Sequence, residues 1–267
     1  MPNPTRKPRV CAVSYLNTIP LVWGMLHGDQ QGLFDLDFRI PAQCADRLAS
    51  GEADIGIAPA VEVPRIKLAI VSRNCIASDG AVRSILLVSK TPLDQVRVLA
   101  ADSSSRTSVA LTRVILARKY GVTPAIVRHD PDTEAMLHVA DAAVIIGDPA
   151  LRVEPSRLPY LVKDLGEEWK AMTGLPMVFA VWAGREEFAT SEIAERFEAS
   201  YRFGAARLDE IVAQESAPRG LDKALAYDYL ARLMRFELGP REMQGLELFL
   251  KYASELPAAD KAGKVSL

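Results

Sequence analysis

Ser14, Asn17 and Thr18 lie within five residues of one another, directly after the strand-like run Val10–Val13 and directly before Pro20. Two hydroxyls and an amide in such a place can hold a carboxylate or a phosphate. Pro20 and the apolar run Leu21–Leu26 open a helix, and proline suits a first helical turn because its missing donor is not needed there. Orphan backbone N–H groups and the positive end of the helix dipole would add to the side chains. A capped strand–helix turn with no ligand explains the same residues equally well. The order recurs about 90 residues later: a buried strand over Val96–Ala101, the turn Asp102-Ser103-Ser104-Ser105-Arg106-Thr107-Ser108, and a helix over Val109–Tyr120. Several hydroxyls with one arginine suit a carboxylate. The plain alternative is a serine-rich N-cap with a solvated arginine. Two such turns in one chain point to a ligand held between two lobes.

The elements that must position these turns alternate between strand and helix, which predicts an α/β fold with mainly parallel strands. Strands are expected at Leu36–Ile40, Ala53–Pro59, Leu68–Val71 and Ser84–Ser89, with a helix over Ala42–Ala49 ended by Gly51. Pro92 marks a break, and Leu93–Val96 reads as a crossing to a second lobe. That lobe has its own cycle: strand Val96–Ala101, helix Val109–Tyr120, strand Ala125–His129, helix Thr133–Val139, strand Ala142–Ile146. The apolar run Met177–Ala183 reads as a strand returning to the first lobe. Helices are expected over about Glu186–Ala213, Leu221–Phe236 and Arg241–Glu255, with a frayed tail at Lys261–Leu267. The expected division is residues 1–93 plus 184–267 for lobe 1, with the C-terminal helices packed on it, and 94–183 for lobe 2. Ligands in open α/β sheets collect at the carboxyl ends of strands. Four turns fall at such ends: Ser14–Thr18, Ala58–Val61, Ser103–Ser108 and Gly147–Asp148.

Composition narrows the functional classes. Of 267 residues, 49% are hydrophobic and 25% charged, as in ordinary globular proteins. A net charge of −2 and the lack of a basic stripe argue against nucleic acid as a partner. Neither a secretory signal nor a membrane span is read, so a cytoplasmic protein with no membrane partner is expected. Cys11, Cys44 and Cys75, and His27, His129 and His138, are scattered without metal-ligand spacing. The cysteines fit reduced thiols in or near the core, and no metal or cofactor is expected.

Six short motifs occur in order along the chain. They are Ser-Tyr-Leu-Asn-Thr-x-Pro-Leu at 14–21, Ala-Asp-Ile-Gly at 53–56, Ser-Arg-Thr-Ser at 105–108, Ile-Gly-Asp-Pro-Ala-Leu at 146–151, Asp-Leu-Gly-x-x-Trp at 164–169 and Thr-Gly-Leu-Pro-x-Val-Phe-Ala-x-Trp at 173–182. Together they resemble the chorismate dehydratase family of the futalosine route to menaquinone, over about Arg9 to Leu256. The resemblance implies a two-lobed, type II periplasmic-binding-protein-like fold with the ligand cleft between the lobes. It also implies a hydro-lyase that removes water from chorismate to give 3-[(1-carboxyvinyl)oxy]benzoate. A sister lyase of the pathway, acting on cyclic dehypoxanthine futalosine, opens with a Ser-Pro-x-Pro-Asn-Asp type of motif and carries a histidine base after the second-lobe strand. Here that strand ends Ile146-Gly147-Asp148, which disfavours the sister. A non-catalytic solute-binding protein of the same fold would need an export signal.

The family resemblance points to Asn17 and Ser84 as catalytic. Neither is a strong base at neutral pH, so Asn17 is expected to orient substrate and steady the leaving hydroxyl, and Ser84 to hold a carboxylate or relay a proton. A substrate carboxylate is the candidate base. Without the resemblance, Ser84 reads as a strand serine bonded to neighbouring backbone. The expected binding set is Ser14, Tyr15, Asn17, Thr18, Pro59, Ala60, Ser84, Ser105, Arg106, Thr107, Ser108, Gly147 and Asp148. Thr107 and Ser108 would hold one carboxylate of the dianion, whereas Arg106 can point out of the cleft and Tyr15 can cover the ring or pack beneath its turn. Asp148 has two readings, an acid or base and a cap for a turn or helix. The cap weighs more, since a free carboxylate repels a dianion.

Overall fold

The computed structural model describes residues 6–257; the expected tail at Lys261–Leu267 lies outside them. Eleven strands form two sheets. They are β1 (Arg9–Val13), β2 (Asp35–Arg39), β3 (Ile55–Pro59), β4 (Ala69–Ser78), β5 (Ile85–Ser89), β6 (Val98–Asp102), β7 (Ala125–His129), β8 (Ala142–Ile146), β9 (Leu161–Asp164), β10 (Met177–Gly184) and β11 (Met234–Glu237). The first sheet has the order β11-β4-β10-β3-β1-β2, the second β7-β6-β8-β5-β9.

Sheet membership corrects the expected lobe boundaries. β5 belongs to the second sheet and β10 to the first. The chain therefore crosses between Ser78 and Ile85, not at Leu93–Val96, and returns between Thr173 and Met177. Residues 93–95 form only a 3-10 turn leading into β6, and Met177–Ala183, inside the 94–183 of the expected second lobe, belongs to the first sheet, paired on both sides with β3 and with β4. The break at Pro92 is real, but a loop within one sheet produces it as readily as a crossing does. The sheets are also mixed. β1 runs parallel to β2 and β3, and β6 parallel to β7 and β8. The two strands that follow the crossings, β5 and β10, run antiparallel to both neighbours.

Two further departures concern the C-terminal part. The helix expected over Glu186–Ala213 is two, Ser191–Ala205 and Leu208–Glu215. The one expected over Leu221–Phe236 is a short helix, Lys223–Asp228, a π turn at Tyr229–Leu233, and then β11. Leu225, Ala226, Leu230, Ala231, Arg232 and Leu233 in this stretch all favour a helix. What overrides it is tertiary pairing, since Met234 and Arg235 find backbone partners on β4.

The period of two along the strands divides the second sheet between two cores. Leu87, Leu99, Ala101, Val144 and Ile146 join the large core that spans both sheets. Their alternate neighbours Leu86, Val88, Ala100, Ala143 and Ile145 form a separate cluster with Met136 and Leu137 of the helix Thr133–Val139. Cys11, Cys44 and Cys75 are free, buried thiols, as read from the sequence. Trp169 and Trp182 are fully buried core residues. Among the described residues, no helix is long and apolar enough to cross a membrane.

Candidate active site

The carboxyl ends of β1 and β3 in the first sheet meet those of β6 and β8 in the second. Between them lies a cavity with about 550 Å³ of empty space, part of it open to solvent. Antiparallel pairing of Ile85 with Ile146 brings the start of β5 to the end of β8, and the Gly147 N–H donates to the Ser84 carbonyl at 2.8 Å. Ten of the expected residues line the cavity: Tyr15, Asn17, Thr18, Pro59, Ser84, Ser105, Arg106, Thr107, Ser108 and Gly147. The rest of the wall is apolar: Val13, Pro41, Ile57, Ile76, Val82, Ile85, Ile146, Phe179 and Ala180.

Ser14, Ala60 and Asp148 do not line it. Ser14 is exposed, with its N–H bonded to the Arg39 carbonyl at 3.0 Å. Ala60 is buried and bonded through its N–H to the Phe179 carbonyl at 2.9 Å. Asp148 is a cap, but for the other lobe. Its carboxylate accepts the Leu16 N–H at 2.9 Å and pairs with Arg219 Nε at 3.2 Å. Burial raises its pKa, against the Leu16 N–H and the Arg219 charge. The second sheet thus fixes the 3-10 turn Leu16–Thr18 that presents Asn17.

Other contacts tie the two halves around the cavity. Tyr15 is bound through its hydroxyl to Ser104 Oγ at 3.0 Å, and Ser104 Oγ donates to Asp102 Oδ1 at 2.6 Å. Since Ser104 spends its proton on the carboxylate, Tyr15 must be the donor of the first bond. Burial pushes the Tyr15 phenol up to about 12, so it stays protonated at neutral pH. The Tyr15 ring lies against Gly147, whose φ of +63° only glycine adopts freely. Arg106 lines the cavity, yet its guanidinium is paired with Asp46 and, at 3.1 Å, with Glu62 of the first lobe. Its charge is already partnered, so it closes the lobes rather than offering itself whole to a ligand. The helix Thr107–Tyr120 brings its donor-rich end to the cavity, and Thr107 Oγ1 accepts the Val61 N–H at 3.4 Å. Thr18 Oγ1 is buried in the cavity wall with no bonding partner among the described residues.

Ser84 is placed by a motif that the sequence shows without explaining. The Asp164 carboxylate accepts N–H groups from Val82 and Arg83 in the crossing, and from Gly166 and Glu167 in the helix it caps. Gly166 has no room for a Cβ, which would sit 2.5 Å from the Gly80 carbonyl oxygen. Arg83, at φ +62°, binds the carbonyls of Ala150, Leu151 and Val153. A non-glycine residue held in the left-handed region directly before a site serine is costly, and persists only where its surroundings dictate it.

Sequence reasoning missed Tyr229. Its hydroxyl is 2.9 Å from Asn17 Nδ2, which donates to it, and 2.9 Å from Ser84 Oγ, to which it donates. The side chain is 1% exposed, and burial raises its pKa. A lone tyrosine in a helix-forming stretch carries no local signal of this role. The π turn that begins at Tyr229 cannot be read from residue type either.

Solved structures show the fold. A protein from Archaeoglobus fulgidus superposes with a TM-score of 0.75 at 18% identity, covering 94% of this chain and 98% of that one. The periplasmic aliphatic sulphonate binding protein of Escherichia coli superposes with a TM-score of 0.62 at 13% identity, covering 98% and 96%. The architecture is thus the expected two-lobed periplasmic-binding-protein fold. In sequence, the chorismate dehydratase of Thermus thermophilus is 29% identical over an alignment of 238 residues that covers 82% of this chain and 86% of that protein. A family model described as menaquinone biosynthesis matches residues 8–255, and the chain belongs to that family.

Proposed function

We propose that this protein is a chorismate dehydratase. The observation that carries the reading is the convergence of Asn17 and Ser84, from different sheets, on one buried hydroxyl at the wall of a largely apolar cavity. The cavity has the divided character that the substrate needs. An apolar wall from Val13 to Phe179 suits a ring about to become aromatic. Hydroxyls of Thr18, Ser105, Thr107 and Ser108 stand where two carboxylates and an alcohol must be held.

In the reaction the C–H bond at the ether-bearing ring carbon breaks, and its electrons complete the aromatic ring. The C–O bond of the neighbouring hydroxyl breaks, and hydroxide leaves with the abstracted proton as water. Aromatisation drives the step, so the protein needs to position and polarise rather than supply strong acid or base. Among the described residues lining the cavity, only Tyr15 and Arg106 are titratable, and both hold their protons at neutral pH. This supports a carboxylate of the substrate as the base. Asn17 orients the ring and steadies the departing hydroxyl, while Ser84 donates to a carboxylate or to the leaving oxygen. Thr107 and Ser108 hold one carboxylate at the positive end of their helix.

We place the reaction at the start of the futalosine route and in the cytoplasm. Three free cysteines, two of them facing each other as thiols at 3.1 Å, suit a reducing compartment. The test is to incubate purified protein with chorismate and follow the product by liquid chromatography and mass. Loss of the mass of one water with the appearance of a benzoate chromophore is expected; unchanged chorismate refutes the reading.

A further inference from the structure

We infer that Tyr229 is a positioning residue of this reaction: its hydroxyl sets which hydrogen-bonding groups Asn17 and Ser84 turn to the substrate. The inference rests on the proposed dehydratase reading of the cavity. Three observations carry it. Tyr229 stands behind the wall rather than in it, 1% exposed, with its hydroxyl 2.9 Å from each of the two wall residues. It belongs to a different part of the chain from either, in the C-terminal segment, so one atom links the turn after β1 to the start of β5. It also opens a π turn, where the helix Lys223–Asp228 gives up its regular bonding. Such turns are rare and gather at functional sites.

A buried tyrosine hydroxyl needs partners in any protein. What separates this one is the order in which protons are used. Asn17 Nδ2 donates to the Tyr229 oxygen, and the Tyr229 proton goes to Ser84 Oγ. Ser84 therefore keeps its own proton free for another acceptor. Asn17 keeps Oδ1 and its second N–H. If the amide turned over, the chain would invert. Tyr229 would donate to Asn17 Oδ1, Ser84 would donate to Tyr229, and the cavity would meet a serine lone pair and an amide NH₂. A single hydroxyl thus makes the two wall groups complementary, so that Ser84 is a donor whenever Asn17 offers its carbonyl. That arrangement matches a substrate that presents one acceptor, a carboxylate, beside one hydroxyl donor.

The phenol does not itself give up its proton, since burial holds its pKa well above the ordinary value. It works through Asn17 and Ser84, and so its loss should reach turnover more than binding.

The experiment uses Tyr229→Phe, which keeps the ring and removes the oxygen. With chorismate, kcat is expected to fall about 10- to 100-fold with KM within about threefold. The triple variant Tyr229→Phe with Asn17→Ala and Ser84→Ala should be no slower than the Asn17→Ala, Ser84→Ala pair, because the hydroxyl acts through those two side chains. A kcat equal to that of the unaltered protein overturns the inference. So does a loss that multiplies with that of the Asn17→Ala, Ser84→Ala pair, which would mark an independent, structural effect. A second measurement needs neither turnover nor a folded Tyr229→Phe. In nitrogen-15 spectra of the unaltered protein, one Asn17 side-chain amide proton should exchange slowly with solvent, and it should persist in Ser84→Ala. Fast exchange of both amide protons overturns the inference. If the unaltered protein leaves chorismate unchanged, the dehydratase reading fails and takes this inference with it, whereas normal turnover with fast exchange of both amide protons overturns the inference alone.

Discussion

Gly147→Ala tests how the cavity wall is built, because two separate costs can be worked out for it. The first is backbone. Gly147 has φ +63°, and an alanine there costs about 1–2 kcal/mol in the left-handed region, offset by about 0.4–1 kcal/mol through a less flexible unfolded chain. The second is steric. A Cβ would stand 2.6 Å from Tyr15 Cδ2 and Cε2, so the ring must retreat by about 0.8 Å to reach ordinary contact at 3.4 Å. Overpacking of that kind costs about 1–3 kcal/mol. The retreat also pulls Tyr15 from Ser104, which removes a hydrogen bond worth about 0.5–1.5 kcal/mol. The sum is roughly 2–5 kcal/mol, and most of it runs through Tyr15. The assay is a double-mutant cycle in urea unfolding, with Gly147→Ala made in the native chain and in Tyr15→Ala. In the second background only the backbone cost remains, about 0.5–1 kcal/mol. A cost below about 1 kcal/mol in the native chain, or the same cost in both backgrounds, would refute the packing of Tyr15 on Gly147 as the reason for glycine here.

Asn17→Ala should keep the fold and lower kcat by about 10²–10³, the usual loss for one positioned donor; near-normal turnover in a folded variant rules out its role. Thr107→Ala with Ser108→Ala should raise KM more than it lowers kcat, because these hydroxyls hold substrate and transition state alike; an unchanged KM places the carboxylate elsewhere. Asp54→Asn should destabilise by about 2–3 kcal/mol at neutral pH, since it leaves Arg6, Arg9 and Arg185 around a neutral group, with a discount for their partial exposure. Burial opposes ionisation of Asp54, but hydrogen bonds from Arg6 and Arg9 outweigh it and hold the pKa below the usual range. Its stabilisation is therefore fully present above the unfolded value, about 4, and is lost as pH falls toward the lower folded value. Denaturation at pH 7 and pH 3 checks the sign, and a gap between variant and native chain that widened in acid would contradict it.

Residue types alone were enough to locate the hydroxyl-rich turns and the strands that end in them. A strand, a polar turn and a helix are neighbours in sequence, and their signals of proline, serine and apolar period are local. Hence Tyr15, Asn17, Thr18 and Ser105–Ser108 were placed on one cleft from the chain itself, and the cavity contains them all. The motif resemblance supplied Ser84, which local reasoning would have left as an ordinary strand serine.

What the local signals lack is partner choice. Whether Ile85–Ser89 joins the first sheet or the second depends on which edge it meets, and its pairing with Ala142–Ile146 moved the crossing to 79–84. Asp148 has the sequence context of a helix cap, yet its carboxylate serves Leu16, 132 residues away. Arg106 looks like a free cation in a serine-rich turn until Asp46 and Glu62 come to it across the cleft. Tyr229 is the extreme case, with partners 212 and 145 residues distant and a π turn that no propensity announces. Local chemistry is written in neighbouring residues, whereas the satisfaction of a buried hydroxyl or carboxylate is a property of the assembled sheets, and only the tertiary structure decided it.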